Sequence, residues 1–354
     1  MKRIWTIITS ATVLIAMTLT FTFAPTDFVI RTPGPTLELL NPDQPLVQVG
    51  VGLGRDSTGQ ILATSMTMTD ENTKVGLGSV IHSYLSLSDD VLPRNAVFSS
   101  GKTSSDTIES NRTAIESSRE QAIAAGVRQA GIEVIELPKV ISVRQAGPAY
   151  QLLFPDDFIL EIDNNAMTNE NEVREYIRTK HVGDPVVLTI IRGDQKMTVP
   201  IAKLAGSSSD GTVPTIGVIL GTGYRWGKSL GNGDWQYDPA VKLNMDIAQG
   251  DVDQGLALAL ATYDLLTTTD NTADEIVAAA GKINAAGEIS YVSGINEHIA
   301  SAFRAHATLM FVPRANCADM VDQFPEMTIA PVGTLAEAAQ VLDERPKKVN
   351  PPVC

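Results

Sequence analysis

The chain is poor in the residues that build metal centres and covalent scaffolds. Its 354 residues contain two cysteines, Cys317 and Cys354, and four histidines, at 82, 181, 298 and 306. That excludes a disulfide-dense scaffold and a multi-cysteine zinc site. No two histidines stand four apart, so the helical two-histidine signature is missing as well, and neither a metal nor a cofactor is expected. Positive charge is also in deficit: Lys plus Arg is 27 against 41 for Asp plus Glu, a formal charge of −14. A nucleic-acid partner needs a basic face to neutralise phosphates, so none is expected. What remains is a folded composition, 44% hydrophobic and 19% charged.

The one long run without charge comes first. Met1-Lys2-Arg3 is basic, and the 20 residues from Ile4 to Phe23 carry no charge. As a helix they span about 30 Å, the thickness of a bilayer core. The run ends in Phe23-Ala24-Pro25, without a small-x-small cleavage site. An uncleaved single-pass anchor (residues 1–24) is expected, with a cleaved signal peptide as the alternative. Six threonines dilute its hydropathy. The basic end stays cytoplasmic, which puts the bulk of the chain outside the cell membrane. In that compartment an even cysteine count favours a Cys317–Cys354 bridge tying down a Pro-rich tail, residues 346–354; two unpaired thiols are the alternative.

The middle of the chain alternates strand and turn signals. Val140-Ile141-Ser142-Val143 reads as a strand broken by Gly147-Pro148-Ala149, and Phe158 to Ile162 as a second strand. Asn169 to Lys180 carries Val173, Tyr176 and Ile177 at helical spacing. Gly183-Asp184-Pro185 leads into Val186 to Ile191, and a Gly193-Asp194 turn leads to a return strand from Lys196 to Ala202. With Asp157-x-Ile159, this order resembles a PDZ domain of the bacterial protease-associated type over residues 137–204. The resemblance implies an extended peptide added as a strand. It puts the carboxylate-holding loop at Leu137-Pro138-Lys139-Val140, with Ile141, Val173 and Ile177 as further peptide-binding residues. That loop has no glycine, and Pro138 removes one N–H donor. A PDZ fold that only packs is the alternative.

The flanks, 45–130 and 213–345 with a linker at 205–212, alternate strand and helix patterns. Gly255 to Leu266 is apolar on nearly every face, as in a buried helix. Thr334 with Glu337 forms a capping box for a last helix. Arg31-Thr32-Pro33-Gly34-Pro35-Thr36, Leu62 to Thr69, Val91 to Phe98, Glu116 to Ala122, Thr262-Tyr263-Asp264 and Val312-Pro313-x-x-Asn316-Cys317 together resemble the membrane-anchored PDZ–Lon-like proteases of bacteria. The fold class expected from this is α+β: a Lon-type proteolytic-domain fold with an inserted PDZ domain, preceded by one N-terminal transmembrane helix and, after it, a linker over residues 25–44.

A Lon-type site is a Ser–Lys dyad, in which a buried lysine acts as a neutral base for a serine nucleophile. The serine sits in Gly-Pro-Ser-Ala-Gly, and here that segment reads Gly250-Asp251-Val252-Asp253-Gln254-Gly255. The lysine position, three beyond the isoleucine of a Gly-Gly-Ile turn, is His298 in Ser293-Gly294-Ile295-Asn296-Glu297-His298. Asp253 and His298 are thus degenerate dyad positions. Asp253 is read as an N-cap paired with His298, and Lys282 as facing away. The expected function is a membrane-anchored, ATP-independent pseudoprotease that binds peptides, unfolded-protein tails or partner proteins, among them an active paralogue or further copies in a homo-oligomeric ring. The alternatives are an endopeptidase using a different site, and a structural envelope protein.

Overall fold

A computed structural model describes residues 2–50, 57–86, 88–98, 104–193, 195–207, 211–231, 234–236, 241–246, 251–272, 274–321, 324–345, 351 and 354. Gly250, part of the linker (208–210) and most of the proline-rich tail lie outside the described residues.

The chain divides into two compact units: Met1–Ala130 with Val241–Cys354, and Gly131–Ala240. In chain order the first unit opens with α1 (Lys2–Phe23), β1 (Phe28–Pro33), β2 (Leu37–Glu38), β3 (Gln60–Ala63), β4 (Met66–Met68), α2 (Leu77–Leu85), β5 (Asp90–Pro93) and α3 (Ser104–Gln129). The second unit holds β6 (Glu133–Val143), β7 (Phe158–Ile162), α4 (Glu170–Arg178), β8 (Val186–Arg192), β9 (Gln195–Ile201) and β10 (Val218–Gly231). The chain then returns to the first unit with α5 (Gly255–Leu266), β11 (Ile276–Ala279), β12 (Lys282–Ile283), β13 (Ile289–Ser290), α6 (Ile295–Arg304), β14 (Leu309–Pro313), β15 (Thr328–Val332) and α7 (Leu335–Glu344). Both units mix helices and strands, so the fold is α+β.

The first unit is built on a sheet in the order β15-β14-β11-β3-β2, parallel except for β2. Parallel strands are covered on both faces and read as continuous apolar runs, and all five residues of β14 are buried. Alternate side chains sort to the two faces. Ile61, Val277, Leu309 and Phe311 meet α5 and α7, while Leu62, Ala278, Met310 and Val312 meet α6. Helix α5 is buried from Gly255 to Asp264, which explains its lack of a polar face. It packs closely on α3: a Cβ at Gly126 would stand 2.6 Å from the Ala259 carbonyl oxygen. Short strands β4, β1 and β5 form a separate antiparallel sheet.

In the second unit the strand order is β9-β8-β7-β6-β10 around a core that includes Val140, Ile159, Ile162, Val173, Ile177, Leu188 and Ile190. Asp157, 1% exposed, receives Arg192 in a two-bond fork (2.8 and 2.7 Å) and the Phe154 backbone N–H at 2.8 Å. The expected return to the flanking domain near residue 213 comes instead at Val241. The reason is that β10 pairs with β6 from Val218↔Val143 to Gly227↔Glu133.

The expected disulfide is present, Cys317–Cys354. The expected membrane segment forms α1, and its described apolar side chains, among them Trp5, Leu14, Ile15 and Phe21, are more than half exposed. Among the described residues no helix is long and apolar enough to cross a membrane.

Candidate functional site

A groove of about 310 Å³ runs between α4 and the start of β10. Asn169 caps α4, its side chain accepting from the Glu172 N–H at 3.0 Å. Glu172 in turn accepts from the Thr168 N–H at 2.7 Å. The helix turns Val173 and Ile177 into the core and along the groove floor. The opposite wall is Thr215-Ile216 followed by Val218-Ile219-Leu220, and Ile219 is 64% exposed. Between them Gly217 adopts a left-handed φ of +80°, and a Cβ there would stand 2.9 Å from the Gly147 Cα. Only glycine lets the two segments cross so closely. Arg174 and Arg178 stand on the groove's helical side, paired with Glu170 (3.4 Å) and Glu175 (2.9 Å).

Of the seven residues expected to bind peptide, Val173 and Ile177 line this groove and the other five do not. Leu137, Pro138, Lys139, Val140 and Ile141 lie inside strand β6 rather than in a loop. On one side β6 pairs with β10, Pro138 opposite Thr222 and Lys139 opposite Gly221. On the other, Val140 exchanges backbone hydrogen bonds with Asp156 and Asp157 (2.9 and 2.8 Å). Lys139 reaches Asp156 at 2.9 Å. Backbone groups committed to a sheet cannot capture a carboxylate.

Asp253 and His298, the residues expected to stand at dyad positions, come together at the start of α5. Asp253 lies in a 3-10 turn, Val252–Gln254, which is capped by Asp251 rather than by Asp253. The Asp251 carboxylate accepts from the Asp253 N–H at 3.3 Å, and Gln254 accepts from the Asp251 N–H at 3.1 Å. The Asp253 side chain points inward, 3% exposed. Its Oδ2 stands 3.9 Å from His298 Nε2, and its Oδ1 stands 3.5 Å from Lys282 Nζ. Lys282, expected to face away, turns towards Asp253 because it follows Gly281, whose N–H donates to the Asp253 carbonyl at 2.7 Å.

His298 is fully buried on α6. Its Nδ1 is 2.9 Å from Thr64 Oγ1, and the Thr64 hydroxyl donates to the Ala279 carbonyl at 3.3 Å. Either atom of the Thr64–His298 contact can supply its proton, and Nε2, which has no hydrogen-bond partner, faces Asp253. Burial lowers His298 to a pKa of about 4, so the ring is neutral and the 3.9 Å contact is not an ion pair. Burial first, and then Asp251, raises the Asp253 carboxyl to about 6. Thr64, the hydroxyl bonded to His298, is itself 0% exposed. A substrate carbonyl has no approach to it.

Asn316, Tyr263 and Asp264 make structural contacts. Asn316 is buried and clamps Val292 through both backbone groups (3.1 and 2.7 Å), fixing the lead into α6. Tyr263 reaches Asp343 on α7 at 3.3 Å, and Asp264 accepts from the Asn271 N–H at 3.2 Å.

Residues 120–202 match the PDZ domain family. No curated protein matches the chain. Solved structures similar to it include the PDZ domain of an SdrC-like protein from Listeria monocytogenes. That domain is 37% identical, with 23% of this chain and 85% of that one covered and a TM-score of 0.22. The PDZ domain of the SdrC-like protein from Listeria innocua is 33% identical, covering 24% and 92%, also at 0.22. A Geobacillus thermodenitrificans protein is 26% identical, covering 23% and 92%, at 0.21. The chain carries a PDZ domain, a module that binds peptides or proteins. The match ends before β10, the strand that walls the groove.

Proposed function

We propose that the chain is a membrane-anchored, extracytoplasmic PDZ–Lon-like pseudoprotease, which holds peptide or protein tails in the α4–β10 groove without cutting them. The observation that carries this reading is the pairing of an open apolar groove with an Asp253–His298 centre whose two side chains are buried, 3% and 0% exposed. An extended segment laid along Val218-Ile219-Leu220 extends the sheet beyond β10, with Val173 and Ile177 beneath its side chains. At the Lon-like positions, Asp253 has no hydroxyl to activate, and its charge would repel an oxyanion.

Two features support the compartment. The disulfide fits an oxidising environment. In α1 the hydroxyls of Thr9, Thr12, Thr18, Thr20 and Thr22 donate to the carbonyls four residues earlier at 2.8–2.9 Å. Back-bonded hydroxyls no longer need water, so these threonines are compatible with hydrocarbon despite diluting the hydropathy. An active paralogue or further copies of the chain are the protein partners that the family resemblance implies.

The test uses the full-length chain in neutral detergent. Fluorescence polarisation against a library of peptides with free C-termini is expected to find saturable binders. Ile219→Asp, an exposed groove-wall change, is expected to weaken them at least tenfold. Unfolded casein is expected to stay intact on incubation. Casein turnover that disappears in both Asp253→Ala and His298→Ala would replace this reading with an active peptidase. A library without binders would favour an envelope protein with an idle groove.

A further inference from the structure

Within the first unit, the N-terminus of α6 opens onto a cavity of about 340 Å³. Its walls carry four carboxylates, Asp89, Asp90, Glu297 and Asp319, against one guanidinium, Arg31. Arg31 Nη1 lies 3.8 Å from Asp90, which leaves three carboxylates uncompensated. Glu297 is the telling one. It is 3% exposed, lines the cavity, and its Oε1 has no hydrogen-bond partner. A buried carboxylate oxygen left unpaired is costly unless something comes to meet it. Burial, reinforced by Asp90 and Asp89, raises the Glu297 carboxyl above its ordinary range. The ring of Tyr291, 49% exposed, also lines the cavity, with its hydroxyl bonded to Asp319.

These features select among ligands. Three unneutralised carboxylates reject an anion, although a helix N-terminus alone would attract one. Among the described residues no group of three or more His, Cys, Asp or Glu side chains is arranged to hold a metal ion. The cavity is also far larger than a bare ion and falls within the range of small-molecule sites. Carboxylates around a partly exposed aromatic ring suit an organic cation, which takes charge-assisted hydrogen bonds at its head and ring contact along its stem.

The geometry points to a binding site in this cavity for an organic cation of side-chain size, a primary amine or guanidinium on an aliphatic stem. Glu297 takes the head group, and Asp319 and Tyr291 hold it from the outer side. Either a free polyamine or the lysine or arginine side chain of a protein offers that chemistry.

Isothermal titration of the full-length chain tests the site at fixed ionic strength, with agmatine, spermidine, N-acetyl-lysine amide and N-acetyl-arginine amide as probes and magnesium chloride alone as the metal arm. One saturable site for at least one organic cation is expected. Its affinity should fall tenfold or more in both Glu297→Gln and Asp319→Asn. Tighter binding of agmatine or spermidine than of the amides assigns a free polyamine, and the reverse assigns a protein side chain. Asp319 is exposed, so Asp319→Asn decides the matter if Glu297→Gln fails to fold. Absence of saturable binding, unchanged affinity in the variants, or magnesium binding tighter than every amine overturns the assignment. None of these readouts involves the α4–β10 groove.

Discussion

Asp253 and His298 bury two titratable groups whose shifts run in opposite directions. The Asp253 carboxyl is raised to about 6, so in the folded chain it takes up a proton before an unfolded aspartate does. That favours folding as pH falls through 6. His298 is lowered to about 4, so the unfolded imidazole protonates first, and folding is disfavoured as pH falls below its ordinary value of 6.5. Between about 4 and 6 each state holds one proton, on Asp253 when folded and on His298 when unfolded, so the pair contributes a flat line. Single substitutions unmask the slopes. In His298→Gln the stability is expected to rise as pH falls from 6 to 4, by up to about 1.4 kcal/mol per pH unit. In Asp253→Asn it is expected to fall between 6.5 and 4 with a similar slope. Urea denaturation at several pH values reads both; parallel curves for the two variants would refute the assignment. The sequence placed these two residues together but gave Asp253 the wrong job. Asp251 and Asp253 are both good cap residues one turn before α5, and only the inward direction of the Asp253 side chain separates their roles.

At the scale of elements, the groove depends on one crossing of backbones. Gly217→Ala puts a Cβ onto Gly147 at a left-handed φ, and is expected to lower stability by about 1–3 kcal/mol in chemical denaturation. An unchanged midpoint would mean that the crossing relaxes freely. The local elements of the PDZ unit were legible. Helix 169–180 is seen as Glu170–Arg178, and the strand expected at 158–162 is β7 with the same bounds. Their signals, period-3.6 spacing and β-branched runs between turns, are local. The β10 wall of the groove was not legible. The strand expected at Val140–Val143 begins at Glu133, and its partner β10 comes from more than 70 residues later in the chain. Periodicity says nothing about which distant strand fills an edge. Residues 137–140, which read as a loop, are paired with β10 throughout, and Lys139 with β7 as well. Lys282 was misplaced in the same way: its direction is set by the Gly281–Asp253 backbone bond, which has no sequence signature.

At the scale of the whole molecule, the bridge and the insertion govern stability and assembly. Cys317 and Cys354 close a loop with a sequence separation of 37. Cys354→Ser is expected to destabilise the first unit by about 2–4 kcal/mol. Scanning calorimetry should show a lowered transition that wild type reproduces only when reduced; equal transitions would leave the bridge without energetic weight. The bridge follows from two cysteines in an exported reading, whereas the parallel sheet whose strand β14 leads to Cys317 depends on long-range pairing. The order of synthesis has its own consequence. Strand β3 lies beside β11, so the first 130 residues emerge from the ribosome without the neighbour that completes their sheet. The intervening unit owns a complete core and can fold as it emerges, while the earlier segment waits with an unpaired apolar edge. During translation, the guest domain matures before its host.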